Sequence, residues 1–333
     1  MDTLKSIQII GTQRSGSNLL RVMLNQINEV DAPHPPHILK RFFPLLPKYG
    51  DLNIEENFEK LIEDICKLVE LNPVPWKGIT LDKNDIKSKC KTRTLVEVFR
   101  VIYELKAISS NAKYWCCKSM SNIHYVNTIE SEGVKPLYIH LYRDGRDVAL
   151  SFMKAIVGQK HIYHIAKQWK EEQEMCIQLK EKLGEDRVFS ISYEELLNNS
   201  KEVLTQLCHF LSVPFSNSML SYYNSNESHL TAESGKMWKN LSHPIIKNNF
   251  NKFFKELHED QIKTFEHIAG STLLKLNYKR YLTINGTYFS DDQIEKFNHE
   301  NKLLKQNAVL NTSEKDRKKR KGQAVLIEEI INR

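Results

Sequence analysis

Residues Ser6 to Leu24 read SIQIIGTQRSGSNLLRVML. Ile7, Ile9 and Ile10 form a short β-branched run closed by Gly11, and Leu19, Leu20, Met23, Leu24 and Ile27 recur at helical spacing. Between them lie the small and polar residues Thr12, Gln13, Arg14, Ser15, Gly16, Ser17 and Asn18. A buried strand that turns through glycine into a helix aims backbone N–H groups and the positive helix end at one point, which suits a phosphate. Gly11 and Gly16 keep the G-x-x-x-x-G spacing of the triphosphate P-loop. Ser17, however, stands where that loop has its lysine, and Arg14 is the local cation.

Outward from this stretch, Tyr114–Lys118 (YWCCK), Pro136–Tyr142 (PLYIHLY) and Arg187–Ser192 (RVFSIS) read as further buried strands. Helical spacing is expected over residues 56–71, 94–108, 121–132, 162–183 and 259–276, and Ser200 is expected to cap a helix running to Leu211. Strands alternating with helices predict an α/β fold, a P-loop-like, doubly wound parallel sheet flanked by helices. The helices over 56–71 and 94–108 are read as an inserted layer expected to wall a substrate cleft. The proline- and histidine-rich Val30–Pro47 is read as an irregular loop, and the polar Ser216–Phe250 as another, holding the cluster Lys236-Met237-Trp238-Lys239-Asn240. Residues 1–280 are read as one domain. Residues 281–333 are a polar, basic C-terminal extension, helical or partly disordered.

Composition bounds the function less than the motifs do. The net charge of +7 looks basic, but Lys315–Lys321 (KDRKKRK) alone contributes five of it, so no nucleic-acid partner is expected. That block is read as a solvated charge run, and assembly through the extension is left open. No run approaches the ~20 apolar residues of a membrane span. The expectation is a cytoplasmic protein, or one whose targeting segment lies outside this sequence. Six scattered cysteines without a C-x-x-C pair are expected to be buried free thiols, with no metal or disulfide framework.

Three segments carry the chemistry. The loop Thr12–Asn18 offers N–H groups, Arg14 and the hydroxyls of Ser15 and Ser17 to one phosphate. Arg143, at a strand end, and Ser151, eight residues on, can reach a second. Tyr193 follows a third strand, where its ring can meet a base. Two clamps on one sheet imply a ligand with two separated anionic groups.

GTQRSGSNLL, YRDGRDVALS and RVFSISYEELL, in this order, resemble the sulfotransferase family that uses 3′-phosphoadenosine-5′-phosphosulfate (PAPS), more its bacterial and protein-tyrosine branches than its cytosolic one. The similarity extends over roughly residues 5 to 280. It implies sulfuryl transfer to a hydroxyl or amine acceptor, with PAPS as cosubstrate and no metal. On this resemblance Thr12–Asn18 hold the 5′-phosphosulfate with Arg14 at the leaving phosphate, Arg143 and Ser151 bind the 3′-phosphate, and Tyr193 lies near the adenine. Lys236 and Lys239 fall in a region that approaches the 3′-phosphate in the family, although the arginine-lysine-glycine element of the cytosolic members is absent.

The acceptor must lose a proton, so a base is expected. His34 occupies the loop where protein-tyrosine and several bacterial members place a catalytic glutamate, and an ordinary histidine titrates near ~6.5, which suits that role. His37 is the second candidate. The lysine-containing strand end of the cytosolic branch corresponds to Lys118-Ser119-Met120. Methionine accepts no proton there, and Lys118 remains as a cation over the sulfuryl group. The rival readings are a P-loop nucleotide kinase or hydrolase, and a catalytically silent nucleotide-binding protein of the same fold. The acceptor itself, whether carbohydrate, lipid, peptide tyrosine or small molecule, has no motif.

Overall fold

A computed structural model of the chain describes residues 4–281, 289–311 and 314–333, apart from the side chains of Lys236 and Lys315. Five strands form one sheet: β1 (Lys5–Ile10), β2 (Val30–Asp31), β3 (Tyr114–Cys117), β4 (Leu137–Tyr142) and β5 (Val188–Ser192). Their order is β2-β3-β1-β4-β5 and every pairing is parallel. Both faces are covered, which is why the strands read as apolar runs rather than alternating ones. Along β3, Tyr114 and Cys116 face the core built with the helices Ser17–Leu24 and Ser200–Leu211. Trp115 and Cys117 face the opposite core.

That opposite core belongs to the inserted layer. The helix Glu55–Glu70 buries Phe58, Leu61, Ile62, Ile65, Leu68 and Val69. The helix Leu95–Ser109 starts at Thr94, whose hydroxyl accepts the Glu97 N–H at 3.1 Å.

The last helix, Glu314–Ile331, docks on the same layer. Leu326 and Ile330 are buried in its core, and Gln323 donates to the Leu68 carbonyl at 2.9 Å. A Cβ on Gly322 would stand 2.9 Å from Leu71 Cδ2, so the two helices approach closely there. Most of the basic block stays in solvent, but Arg320 is half-buried, which corrects the reading of the block as a wholly solvated run.

Other local expectations also change. The stretch read as one irregular loop from Val30 holds β2, a short helix Ile38–Phe42 and a 3-10 helix Phe43–Tyr49 that Pro44 can begin, because its missing N–H falls in a first turn. The Ser216–Phe250 region contains the helix Asn226–Glu233 and the 3-10 helix Lys236–Ser242. The cap before Ser200 is Asn199, and the Ser200 hydroxyl instead donates to the Leu196 carbonyl at 2.7 Å. The six cysteines are free thiols, and five of them are buried. Among the described residues, no helix is long and apolar enough to cross a membrane.

Candidate active site

Because all five strands run parallel, their carboxyl ends share one edge of the sheet, where open α/β folds bind ligands. Each strand delivers one candidate there. Thr12–Asn18 follow β1, His34 follows β2, Lys118 follows β3, Arg143 follows β4 and Tyr193 follows β5. The pairing of β1 with β4 brings the first loop against the second clamp. Arg143 Nη1 donates to the Arg14 carbonyl at 3.4 Å, and Arg14 Nε donates to Ser151 Oγ at 3.0 Å.

The loop is shaped by two left-handed residues. Arg14 has φ 75°, unusual for a residue with a side chain, and Gly16 has φ 85° at the start of the helix Ser17–Leu24. A Cβ on Gly16 would collide with the Tyr193 ring, so glycine is required both by conformation and by that ring. Thr12 and Ser15 brace the loop from within. Ser15 Oγ donates to the Thr12 carbonyl at 2.8 Å, and Gln173 Nε2 donates to Thr12 Oγ1 at 3.0 Å.

Arg143 is a buried cation with spare capacity. Its guanidinium lies 4.6 Å from the Tyr193 ring centroid and donates to the Asn249 carbonyl at 2.9 Å and to Asp147 Oδ2 at 3.3 Å. Its Nε is buried without a partner, a cost unless something accepts from it. Asn249 closes this cluster from the other side, its side-chain amide donating to Tyr193 Oη at 2.7 Å. Burial pushes the Tyr193 phenol up, with Arg143 opposing, so the ring stays neutral.

A cleft of about 310 Å³ runs past Arg14, Gly16, Arg143, Ser151 and Tyr193. A second cavity of about 360 Å³ holds Gln13, His34, His37 and Lys118. Arg14, Ser17, Asn18, Met237 and Trp238 line both. The β1 loop and the Met237-Trp238 pair therefore form a shared wall between two chambers.

In the second chamber Lys118 is buried and pairs with no carboxylate among the described residues. Burial, followed by Arg21 and then Arg14, lowers its pKa to about 7. The carbonyl of His34 is pinned by Trp76 Nε1 at 2.7 Å and Asn72 Nδ2 at 2.8 Å, and its ring meets Trp238 edge-on at 5.1 Å. The second Asn72 hydrogen goes to the Val74 carbonyl at 2.8 Å, so its 3.5 Å approach to the His34 ring adds no bond. His34 Nε2 is buried without a partner. His37 Nδ1 lies 3.0 Å from Ser119 Oγ. Burial first, then Lys118 and other cations, holds both histidines well below their ordinary value, so His34 is not the ordinary titrating histidine expected from sequence. Lys239 is exposed and lines neither chamber, and the Lys236 side chain lies outside the described residues.

A parallel sheet with a glycine-turned loop after its first strand and a buried arginine after its neighbour defines a P-loop-like α/β protein. The sulfotransferase family model matches residues 6–217, and the chain belongs to that family. Among solved structures it is similar to the sulfotransferase domain from the curacin biosynthetic pathway, with 22% identity and a TM-score of 0.57 over 84% of this chain and 100% of that one. It is also similar to the sulfotransferase domain from the Synechococcus PCC 7002 olefin synthase, with 23% identity and a TM-score of 0.52 over 81% and 97%. These likenesses concern the fold, and no curated protein matches the sequence. Family and fold together support sulfotransferase activity.

Proposed function

We propose that the protein transfers a sulfuryl group from PAPS to a hydroxyl or amine acceptor, in line and without a metal. The observation that carries this reading is the pair of chambers sharing one wall, with anion-binding groups on one side and a candidate base on the other. The first chamber fits the donor: Arg143 holds an unused buried N–H, and Gly16 lets the Tyr193 ring close onto the β1 loop. The donor supplies an activated sulfuryl group, whose sulfur gains a bond to the acceptor oxygen or nitrogen as its bond to the 5′-phosphate oxygen breaks.

The residues divide that work. Arg143 and Ser151 anchor the 3′-phosphate, and Tyr193 borders the adenine. Arg14 is steadied by Ser151, and its Nη1 meets only the soft Met237 sulfur at 3.3 Å, so its charge is free for the leaving phosphate. Lys118 offsets charge on the sulfuryl oxygens, as preorganised cations do in phosphoryl transfer. His34 takes the acceptor proton at Nε2.

Adenosine 3′,5′-bisphosphate should stabilise the chain thermally without metal, whereas ATP with magnesium should not; the reverse outcome would favour a kinase. Arg143→Ala should weaken the bisphosphate at least about tenfold, since charge-assisted bonds contribute ~1.5–3 kcal/mol each. Unchanged affinity in a folded variant would sink the 3′-phosphate assignment.

PAPS affinity should also depend on pH. Lys118 carries its charge below pH 7 and loses it above, while an anion beside it favours the protonated form. Binding should therefore weaken as pH rises above 7 and be accompanied by proton uptake, measurable by calorimetry in buffers of different ionisation enthalpy. Lys118→Gln should abolish the dependence.

A further inference from the structure

The second chamber carries more positive charge than sulfuryl transfer requires. Arg14 and Lys118 come from the elements that would touch the sulfuryl group. Lys40 and Arg41 come from the helix Ile38–Phe42, and Arg320 comes from the C-terminal helix. Among the described residues no carboxylate lines this chamber.

Arg320 is the most telling of these cations. Its Nε and Nη2 are buried without partners, and its guanidinium lies 5.4 Å from the Trp238 ring centroid, a contact that leaves the donor edge free. It lines the second chamber and not the donor cleft. The opposing charge it feels is that of Asp316, one turn back on the same helix, which raises its pKa while burial, the larger effect, lowers it.

The helix that presents Arg320 is held in place. Gln323, on the same face, accepts from Arg41 Nη2 at 3.1 Å and donates to Leu68, while Lys319 donates to the Glu233 carbonyl at 2.8 Å. The close approach at Gly322 and the buried Leu326 and Ile330 fix its distance from the inserted layer. Arg320 is thus positioned before any ligand arrives.

We infer that the acceptor itself carries an oxyanion, a carboxylate or a phosphate monoester, and that Arg320 of the C-terminal helix binds it. This rests on the proposed sulfuryl transfer, because that reading makes the second chamber the acceptor's. With Arg14 and Lys118 engaged by the donor, a neutral acceptor that offers no oxyanion would leave the two buried N–H groups of Arg320 unpaired, a costly arrangement. An oxyanion accepts from the guanidinium fork in a bidentate, charge-assisted pair.

The test uses the full chain saturated with adenosine 3′,5′-bisphosphate, so that the donor cleft is filled. Inorganic phosphate, and separately acetate, is titrated calorimetrically at constant ionic strength. At least one of the two should bind at a further site, and the tighter one names the anion. Arg320→Gln should weaken that binding at least about tenfold, the loss of a charge-assisted bidentate contact, with bisphosphate affinity unchanged. Arg320→Lys, which keeps the charge on the docked helix but cannot fork, should retain part of it and guards against a folding defect in the glutamine variant. Equal anion binding by wild type and Arg320→Gln, or none by either, overturns the inference. Failure of the bisphosphate to bind counts against the PAPS reading alone, since Arg320-dependent phosphate binding is then measured on the unloaded chain.

Discussion

His34→Ala is expected to lower turnover by about 10²–10⁴-fold, the range a positioned general base supplies, while adenosine 3′,5′-bisphosphate binds as in the wild type. The ring stands in the second chamber with Nε2 unpartnered, and the Asn72 and Trp76 bonds to its carbonyl fix the backbone that carries it. Burial and Lys118 keep the imidazole neutral well below pH 6.5, so the base is ready across the neutral range. The group that titrates near pH 7 is Lys118. The profile of kcat/KM, which reports the free enzyme, should consequently fall as pH rises above 7 and show no acid limb near 6.5. That is the opposite sign from a solvent-exposed histidine base. His37→Ala is the control: its Nδ1 is within reach of Ser119, and the variant should lose far less. Turnover of His34→Ala at the wild-type rate would assign the proton to another residue.

The strands were legible because four of them are apolar runs of four to six residues with polar or glycine punctuation, and the first loop announces its strand and helix together. β2 was not, since two residues before a proline-rich stretch carry no period. Thr12–Asn18, Lys118, Arg143 and Tyr193 could be placed as strand-end residues from order alone, and the parallel sheet gathers them at one edge with His34, which the sequence places only in a proline-rich loop. Asn249, Gln173 and Arg320 left no signal that sequence reasoning could find. They reach the site from loops or helices remote in the chain, where direction is decided by tertiary packing. In the sequence Met237 and Trp238 stand out only as part of a basic and aromatic cluster, and their place in the wall between the chambers depends on how residues 226–242 fold back over the β1 loop. The basic block illustrates the limit best. Charge counting sees six equivalent cations, but helix phase turns Arg320 toward Trp238 and leaves its neighbours Lys318 and Lys321 in water.

The largest loss of stability should come from Arg146→Ala. The fold places Arg146 in a buried triad with Asp144 and Glu266. Its Nε and Nη2 donate to the two oxygens of Asp144 at 2.9 and 2.6 Å, its Nη1 donates to Glu266, and its guanidinium lies 4.3 Å from the Phe253 ring. Burial opposes the charge on Arg146, and the bonds to Asp144 and Glu266 outweigh it, so its pKa lies above the ordinary value. Removing one member of such a set leaves uncompensated buried charge and costs about 3–5 kcal/mol. Denaturant unfolding of Arg146→Ala should show that loss at pH 7.5, and Arg146→Lys should recover only part of it, because an ammonium cannot fork to both Asp144 oxygens. The sign of the pH dependence separates this cause from lost packing. Burial already holds the Asp144 carboxyl above its ordinary value against the pull of Arg146, so without the guanidinium its pKa in the folded variant rises further above that in the unfolded chain. Between those two pKa values the folded state holds more protons, and stability should rise as pH falls. The deficit relative to wild type should therefore shrink from pH 8 to pH 5. A deficit constant over that interval would mean that the rings of Phe253 and Tyr281, rather than the carboxylates, are what Arg146 supports. Asp144 also caps the helix Gly145–Lys154, which carries Ser151, so loss of the triad should loosen that helix along with the fold.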